Sequence, residues 1–301
     1  MENLFQPSVS YWEGNGSRIA VTGKQLPQYA LNKTSLVLLI HGYNNNQKEA
    51  SAAYKRFLEI QNKKFGLVTA NVVGVYWPGD NWEGAAFYMQ AIGKAKKVAP
   101  NLARDLFEIA EARGYLKIDI ITHSLGSRLT LETIKELQSL IKASGKPSGL
   151  TIGRVAFMAG AVPTYYLEQP KKLERALTAF EGILNLYSEN DRVLKYAFPL
   201  GQTLAGERLL PVALGRKAWL NGSLIAKPIS QVPNTGADHS DYWGGSSDKV
   251  ACLENAGRAV REFLPLGIQP GRVTPLRIAS VGRNIPSRYC TAKRDIDVRL
   301  T

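Results

Sequence analysis

The sequence predicts an α/β protein built on a mostly parallel central sheet with helices on both faces. Short, nearly unbroken apolar runs recur along the chain, and each has the length of a strand that is buried on both faces. Stretches with helical spacing of apolar residues separate these runs. Because parallel neighbours need crossover connections, this alternation favours a parallel sheet over an antiparallel one.

Five apolar runs are the predicted strands. The first is SLVLLI at Ser35–Ile40, and it ends directly before His41 and Gly42. The others lie at 72–77, 118–122, 155–158 and 183–187. The first 30 residues are expected to add a leading hairpin or edge strands.

Four amphipathic stretches are the predicted helices. The first covers 47–62, and the second covers 101–113, with Pro100 in its first turn and Gly114 at its C-terminal stop. The third follows Ser124 and ends at Gly145, and the last spans about 249–263. Residues 196–236 fit neither pattern, because they are rich in glycine, proline and leucine. They are expected to form a small cap or a long excursion over the site.

Composition indicates one folded domain followed by a basic extension. Hydrophobic residues make up 45% of the chain and charged residues 21%, which is enough apolar material for a sizeable core. We expect the domain to span 1–264. Residues 265–301 are rich in proline, glycine and arginine, with seven Lys/Arg against two Asp, and form the predicted extension.

The net charge of +13 would attract anionic surfaces. No cluster of basic residues stands out, and aromatics are not interleaved with basic residues, so a nucleic-acid partner is not predicted. The N-terminus lacks an apolar signal region, and no run reaches the roughly 18 apolar residues of a membrane span. A cytoplasmic protein without metal or cofactor is the expectation, and its oligomeric state is left open.

Ser124 is the candidate nucleophile. It lies in Thr122-His123-Ser124-Leu125-Gly126, where an apolar strand is predicted to end and a helix to begin. A sharp strand-to-helix turn presents a serine in this way, and it requires small residues around the serine. Gly126 meets that requirement, whereas Thr122 stands where glycine is usual.

A serine hydroxyl needs a base, and His239 is the candidate. The chain has three histidines. His123 is expected to point away from Ser124 across the turn, and His41 ends an upstream strand. Only His239 follows in the chain order of serine, acid and histidine.

Asp191 is the candidate acid, because it follows the strand predicted at 183–187 and precedes His239. Glu189, in the same loop, is its rival, and a second interpretation makes Asp191 a helix N-cap. Asp238 and Asp241 are expected to be ordinary turn residues.

Two backbone amides are the candidate donors to an oxyanion. Leu125 follows the nucleophile at a helix N-terminus, and Tyr43 lies in the loop after the first apolar strand. His41 and Gly42 are expected to shape that loop rather than to react.

Five segments together resemble the α/β-hydrolase superfamily. In chain order they are LLIHGYNNN, VVGVYWPGD, IDIITHSLGSR, LYSENDRVL and GADHSDYW. More closely they resemble its bacterial branch labelled domain of unknown function nine hundred, over residues 36–263. The resemblance implies the α/β-hydrolase fold, a triad of Ser124, Asp191 and His239, and an esterase-like or lipase-like activity, and it does not supply a substrate. A small-molecule or lipid ester is the expected substrate.

Other functions stay open at this point. A lipid hydrolase would use the basic surface and the aromatics Trp77, Trp82, Phe87 and Tyr88 for peripheral membrane contact. A hydrolase fold without chemistry would act as a binding module. Amide cleavage, thioester cleavage and acyl transfer use the same triad, so the motif does not separate them.

Overall fold

The fold is seen in a computed structural model that describes residues 10–13, 18–20, 33–43, 45–79, 85–145, 149–168, 172–206, 208–219, 229–243 and 249–267. Within these ranges one sheet of eight strands runs through the protein. The strands are β1 (Ser10–Glu13), β2 (Arg18–Ala20), β3 (Ser35–Ile40), β4 (Val72–Tyr76), β5 (Leu116–His123), β6 (Leu150–Met158), β7 (Gly182–Tyr187) and β8 (Ile229–Pro233).

The sheet is mostly parallel, as predicted. Its spatial order is β2-β1-β4-β3-β5-β6-β7-β8, and β3 to β8 all pair in parallel. The two N-terminal strands are antiparallel and form the edge, which confirms the expected leading strands. The carboxyl ends of the parallel strands therefore share one edge of the sheet, where ligands bind in open α/β sheets.

Helices cover both faces of the sheet. They are α1 (Gln47–Phe65), α2 (Ala85–Arg113), α3 (Gly126–Ser144), α4 (Thr164–Leu167), α5 (Glu174–Thr178), α6 (Phe198–Leu204) and α7 (Val250–Phe263), and a π-helical turn at Val193–Ala197 precedes α6. Strand β3 shows why its sequence is continuously apolar. Leu36, Leu38 and Ile40 pack into the core with α2 and α3, whereas Val37 and Leu39 pack into the core with α1 and α7.

Helix α1 begins with a capping box, which explains its sharp start after the β3 loop. The Asn46 side chain accepts a hydrogen bond from the Glu49 amide at 3.0 Å, and the Glu49 carboxylate accepts one from the Asn46 amide at 2.9 Å. Two amides that the helix cannot pair are satisfied in this way.

Helix α2 is longer than predicted, and the expectation that Pro100 begins it was wrong. The helix starts at Ala85 and continues through Pro100 to Arg113, where Gly114 ends it with φ 74°. Ala91, Ala95, Val98 and other buried residues before the proline extend the apolar face that packs on the sheet. Burial of this face outweighs the hydrogen bond that proline removes.

The structure divides residues 196–236, which the sequence analysis takes for a cap. Strand β8 lies within this stretch and pairs in parallel with β7, so it belongs to the central sheet. The part before it contains α6 and a bridge between Pro163 and Ala213 at the carboxyl edge of the sheet. Residues 220–228 lie outside the described ranges.

The basic extension lies mostly outside the described residues, which end at Gly267. Leu266 is buried in the core, and its carbonyl accepts hydrogen bonds from the amides of Thr69 and Ala70 at 3.0 and 3.2 Å. No helix in the described part of the chain has the length and apolarity needed to cross a membrane.

Replacing Pro100 with alanine should raise the free energy of unfolding by about 1 kcal/mol or more, because proline in a helix interior costs about 3 kcal/mol relative to alanine. Urea unfolding of the two proteins measures the difference. A loss of stability would show instead that α2 needs a bend at Pro100 to fit the sheet.

Candidate active site

Ser124 lies in a strained turn between β5 and α3. Its φ is 53°, a left-handed conformation that is uncommon for residues other than glycine. Strand β6 and the residues after it hold this turn. The Ser124 amide donates to the Met158 carbonyl, and the Ala161 amide donates to the Ser124 carbonyl, both at 3.0 Å. The turn therefore projects the hydroxyl at the carboxyl edge of the sheet.

Two glycines let the neighbouring loop approach this turn. A Cβ at position 126 would lie 2.4 Å from the His41 carbonyl oxygen and 2.8 Å from Thr122 Oγ1. A Cβ at position 42 would lie 2.6 Å from the Ser124 Cβ. Thr122 is accommodated where glycine is usual because residue 126 has no side chain to meet its hydroxyl.

His239 contacts the Ser124 hydroxyl, as the sequence predicts for a base. Its Nε2 lies 2.7 Å from Ser124 Oγ, and its Nδ1 lies 2.8 Å from Asp191 Oδ2. With a proton on Nδ1, the ring donates to the carboxylate and accepts from the serine hydroxyl. The three side chains thus form one hydrogen-bonded series, although they are far apart in sequence.

Asp191 makes both of the contacts that the sequence analysis considers as alternatives. Its Oδ2 accepts from His239, while its Oδ1 accepts from the Leu194 amide at 2.8 Å, which is the N-cap contact. The carboxylate is completely buried. The rival Glu189 instead lines a pocket beside the loop.

Asp238 joins the loop that carries His239 to the loop that carries Asp191, which we call the acid loop. It is therefore more than the ordinary turn residue that was expected. Its carboxylate accepts from the Arg192 amide at 3.0 Å, from the Arg192 guanidinium at 2.6 Å and from the His239 amide at 2.9 Å. Burial raises the pKa of Asp238, but these hydrogen bonds and the Arg192 charge outweigh it, and the net effect lowers the pKa. In the sequence Arg192 directly follows Asp191, and Asp238 directly precedes His239. These opposite charges beside the predicted acid and base are the sequence signal for the ion pair.

Asp241 is also a structural anchor rather than only a turn residue. It is buried, and it accepts a hydrogen bond from the Asp238 amide at 2.7 Å and lies 3.0 Å from Lys249 Nζ. The Ser188 hydroxyl adds a bond of 2.6 Å to the Ala237 carbonyl. The loop that carries His239 is therefore fixed at several points.

His123 reaches the same loop, which the sequence analysis did not foresee. Its Nε2 lies 2.7 Å from the His239 carbonyl oxygen, so the neutral ring donates there. Burial, aided by nearby His239, lowers the pKa of His123 to about 3, although its bond to the His239 carbonyl acts in the opposite direction. The residue before the candidate nucleophile thus holds the backbone of the candidate base.

His41 organises the loop that follows β3. Its Nδ1 lies 2.9 Å from the Gly42 carbonyl oxygen, and its Nε2 accepts from the Trp77 amide at 3.3 Å. The Tyr54 hydroxyl accepts from the His41 amide at 2.7 Å. Burial lowers the pKa of His41 to about 4, with the Gly42 bond opposing the shift.

Trp77 cannot be a membrane anchor, which corrects one suggestion from the sequence. Its ring is 3% exposed and stacks on His41, and its indole N–H donates to the His41 carbonyl at 2.9 Å. The tryptophan therefore packs against the loop that follows β3 and stabilises it through His41. Trp82 lies outside the described residues, as do the side chains of Phe87 and Tyr88.

The two candidate oxyanion donors belong to the Ser124 turn and to the loop that approaches it. Leu125 is buried and precedes α3, and no backbone acceptor in the described ranges is paired with its amide. Tyr43 follows Gly42 in the loop that approaches Ser124 and packs partly buried against the core.

A pocket of about 550 Å³ opens beside the acid loop. Glu189 and Leu194, which flank Asp191, form part of its wall, and the segment 210–217 forms much of the rest. Across the described part of the protein, no cluster of three or more His, Cys, Asp or Glu side chains could hold a metal ion.

The mostly parallel sheet with helices on both faces is the architecture of an α/β hydrolase. Residues 23–203 match the family described as alpha/beta hydrolase of unknown function (DUF900). The match covers more than half of the chain, and the protein belongs to this family. No curated protein sequence matches the chain.

Solved structures resemble the protein only distantly. Thermogutta terrifontis esterase 2 phosphorylated by paraoxon is 11% identical, with 80% of this chain and 86% of that chain covered and a TM-score of 0.42. An esterase from Pyrobaculum calidifontis is 15% identical, with 76% and 74% covered and a TM-score of 0.37. An α/β serine hydrolase without lid from Xanthomonas campestris is 10% identical, with 78% and 84% covered and a TM-score of 0.38.

The free energy of unfolding should fall as the pH drops from about 6.5 to about 4. The unfolded chain binds protons at His41 and His123 near pH 6.5, whereas the folded chain excludes them until about pH 4 and about pH 3. Each histidine contributes a slope of about 1.4 kcal/mol per pH unit in this window. The contribution of the two histidines to the free energy of unfolding is therefore fully present above about pH 6.5, and it is lost as the pH falls toward about 4.

Urea unfolding at several pH values tests this slope, with His41→Asn as the matched variant. The variant should lose about half of the acid slope that the histidines cause, whatever its stability at neutral pH. Equal slopes in the two proteins would show that His41 takes up protons in the folded state.

Proposed function

We propose that the protein is a serine hydrolase that cleaves a carboxylic ester through an acyl-enzyme. The observation that carries the proposal is the hydrogen-bonded series from Ser124 Oγ through His239 to buried Asp191. A base within 2.7 Å of the hydroxyl and an acid within 2.8 Å of the base meet the geometric requirement for nucleophilic catalysis.

The reaction proceeds in two halves. Ser124 Oγ attacks the ester carbonyl carbon while its proton passes to His239 Nε2, and the carbonyl oxygen becomes an oxyanion. The tetrahedral intermediate collapses, the alkoxide leaves with the proton from His239, and the acyl group stays on Ser124. Water then attacks the carbonyl carbon of the acyl group and passes a proton to His239 Nε2. The second tetrahedral intermediate collapses, Ser124 Oγ takes the proton back, and the carboxylic acid leaves.

Asp191 stabilises the charge that His239 gains in each half. The carboxylate is buried, so little water screens its attraction to the imidazolium. Its second oxygen is held by the Leu194 amide, which fixes the carboxylate plane. The acid thereby keeps the proton on Nδ1 and leaves Nε2 free to accept from Ser124.

The amides of Leu125 and Tyr43 are the proposed oxyanion donors. Leu125 lies at the N-terminus of α3, where the helix dipole also favours negative charge. Each donor contributes about 3 kcal/mol to transition-state stabilisation in sites of this kind. Gly42 allows the Tyr43 loop to lie against the nucleophile.

The ester is proposed as the substrate because the five sequence segments resemble esterase-like hydrolases. Amides and thioesters fit the same three side chains, and acyl transfer to an acceptor besides water uses the same intermediate. A series of nitrophenyl esters with graded acyl length tests for ester turnover and reports the acyl length that the pocket accepts.

A fluorophosphonate probe should label the wild-type protein at Ser124, and Ser124→Ala should abolish both labelling and turnover of nitrophenyl esters. The activated hydroxyl is the nucleophile, so its removal leaves no acceptor for the probe. Ser127→Ala is the matched control, because Ser127 is buried one turn further along and its hydroxyl has no hydrogen-bond partner among the described residues.

Equal labelling of wild type and a folded Ser124→Ala variant would refute the proposed nucleophile. Absence of labelling, combined with a steeply salt-dependent shift of nucleic acid, would favour a binding module instead.

Asp191→Asn should lower kcat by about 10⁴-fold, because an amide cannot stabilise the imidazolium or enforce the tautomer. Glu189→Gln should leave kcat within the same order of magnitude, since Glu189 lines the pocket rather than contacting His239. Steady-state kinetics on one nitrophenyl ester compare the two variants. A larger effect at Glu189 than at Asp191 would reverse the assignment of the acid.

A further inference from the structure

Large apolar side chains are exposed together in one segment near the acid loop. Ten such residues are exposed within the described ranges, and six of them fall within residues 196–212. These six, which we call the apolar face, are Tyr196, Leu200, Leu204, Leu209, Leu210 and Val212. A concentration of this kind marks an interaction surface, whereas single exposed leucines do not.

Three members of the apolar face form an outward stripe on the helical segment. Tyr196, Leu200 and Leu204 are spaced by four residues, so they lie above one another on the same side. They are 59%, 55% and 61% exposed, while Phe198 and Gln202 on the opposite side are buried. The helix therefore packs on the protein through one side and presents apolar groups to solvent on the other.

The loop after α6 presents Leu210 at an additional energetic cost. Its φ is 42°, a conformation that favours glycine, and its side chain is nevertheless a half-exposed leucine. The Leu210 amide donates to the Thr203 hydroxyl at 2.9 Å, which fixes the loop to α6. Strain of this kind persists at binding sites, where the held conformation serves the contact.

Basic residues surround the same surface. The pocket of about 550 Å³ is walled by apolar side chains that include Tyr196 and Leu200, and Lys195, Arg216 and Lys217 also line it. Glu189 is the one acidic residue in its lining among the described residues. In the described part of the protein, no ion pair neutralises these three basic side chains.

We propose that the apolar face and its three basic neighbours dock the protein onto a membrane of anionic phospholipid. Leucine and tyrosine side chains enter the boundary between headgroups and acyl chains, and the basic side chains contact lipid phosphates. The net charge of +13 adds attraction at longer range. Lysine is depleted in protein–protein interfaces, so Lys195 and Lys217 favour a lipid surface over a protein partner.

Docking would bring the lipid surface to the edge of the candidate active site. The pocket shares Glu189 and Leu194 with the acid loop, and Asp191 lies between them. The inference goes beyond the proposed function, because binding to a membrane needs no chemistry at Ser124.

Sedimentation of the full-length protein with vesicles tests the docking. The partition coefficient should be about tenfold or more higher for vesicles of an equal mixture of phosphatidylcholine and phosphatidylglycerol than for phosphatidylcholine alone. High salt should remove most of this preference, because it screens the basic residues. Equal binding to the two kinds of vesicle, or no binding to either, would overturn the proposal.

Two pairs of variants locate the surface. Leu204→Ser with Leu209→Ser should lower the partition coefficient about tenfold or more, whereas Leu67→Ser, an equally exposed leucine elsewhere, should not change it. Lys195→Ala with Lys217→Ala should lower the preference for anionic vesicles severalfold, with Arg216 and the net charge supplying the remainder. Lys55→Ala with Lys63→Ala, on exposed parts of α1, is the matched control and should keep it.

The variants also separate this inference from the proposed function. Ser124→Ala should bind vesicles like the wild type, and the leucine variants should keep the wild-type circular dichroism spectrum and melting temperature. Retained binding by the double leucine variant would overturn the docking surface. A self-associated species that disappears in that variant, with no vesicle binding, would assign the apolar face to a second copy of the chain.

Discussion

The close approach of three backbone segments around Ser124 is the constraint on which the site depends. The turn holds Ser124 in a left-handed conformation, and it fits only because positions 42 and 126 lack side chains. Strand pairing supplies the approach, since Ile40 at the end of β3 is in register with Thr122 at the end of β5. The sheet therefore sets the distance between the nucleophile and the loop that carries Tyr43.

The candidate base is held by contacts that come from two different strands. His123, at the end of β5, donates to the His239 carbonyl, and Arg192, after β7, pairs with the neighbouring Asp238. Because β6 separates β5 from β7, a shift of either strand would move the imidazole away from Ser124 or from Asp191. Fixed positions of this kind are what preorganisation of a catalytic base requires.

The sequence predicted those features whose cause is local. Strand β3 was predictable because burial on both faces demands a continuous apolar run, and the end of α2 was predictable because Gly114 adopts a positive φ. The start of α2 was not, since tertiary burial of residues before Pro100 overrides the local effect of proline. The predicted strand-to-helix turn pointed to Ser124, and chain order with the predicted strand at 183–187 pointed to His239 and Asp191. Contacts between distant residues, such as Arg192 with Asp238, depend instead on how strands pair.

Leu194 connects the candidate acid to the exposed segment that follows it. Its amide binds Asp191 Oδ1, and its buried side chain forms part of the pocket wall beside the apolar face. One residue thus takes part in both the orientation of the carboxylate and the shape of the pocket. A π-helical turn begins at Val193, and such turns occur often at functional sites because they displace the following residues from regular helical positions. Here the π-helical turn follows the acid and contains Tyr196, the first residue of the outward stripe. The backbone of Leu194 therefore links the pocket wall to the orientation of the Asp191 carboxylate, and that carboxylate in turn contacts His239.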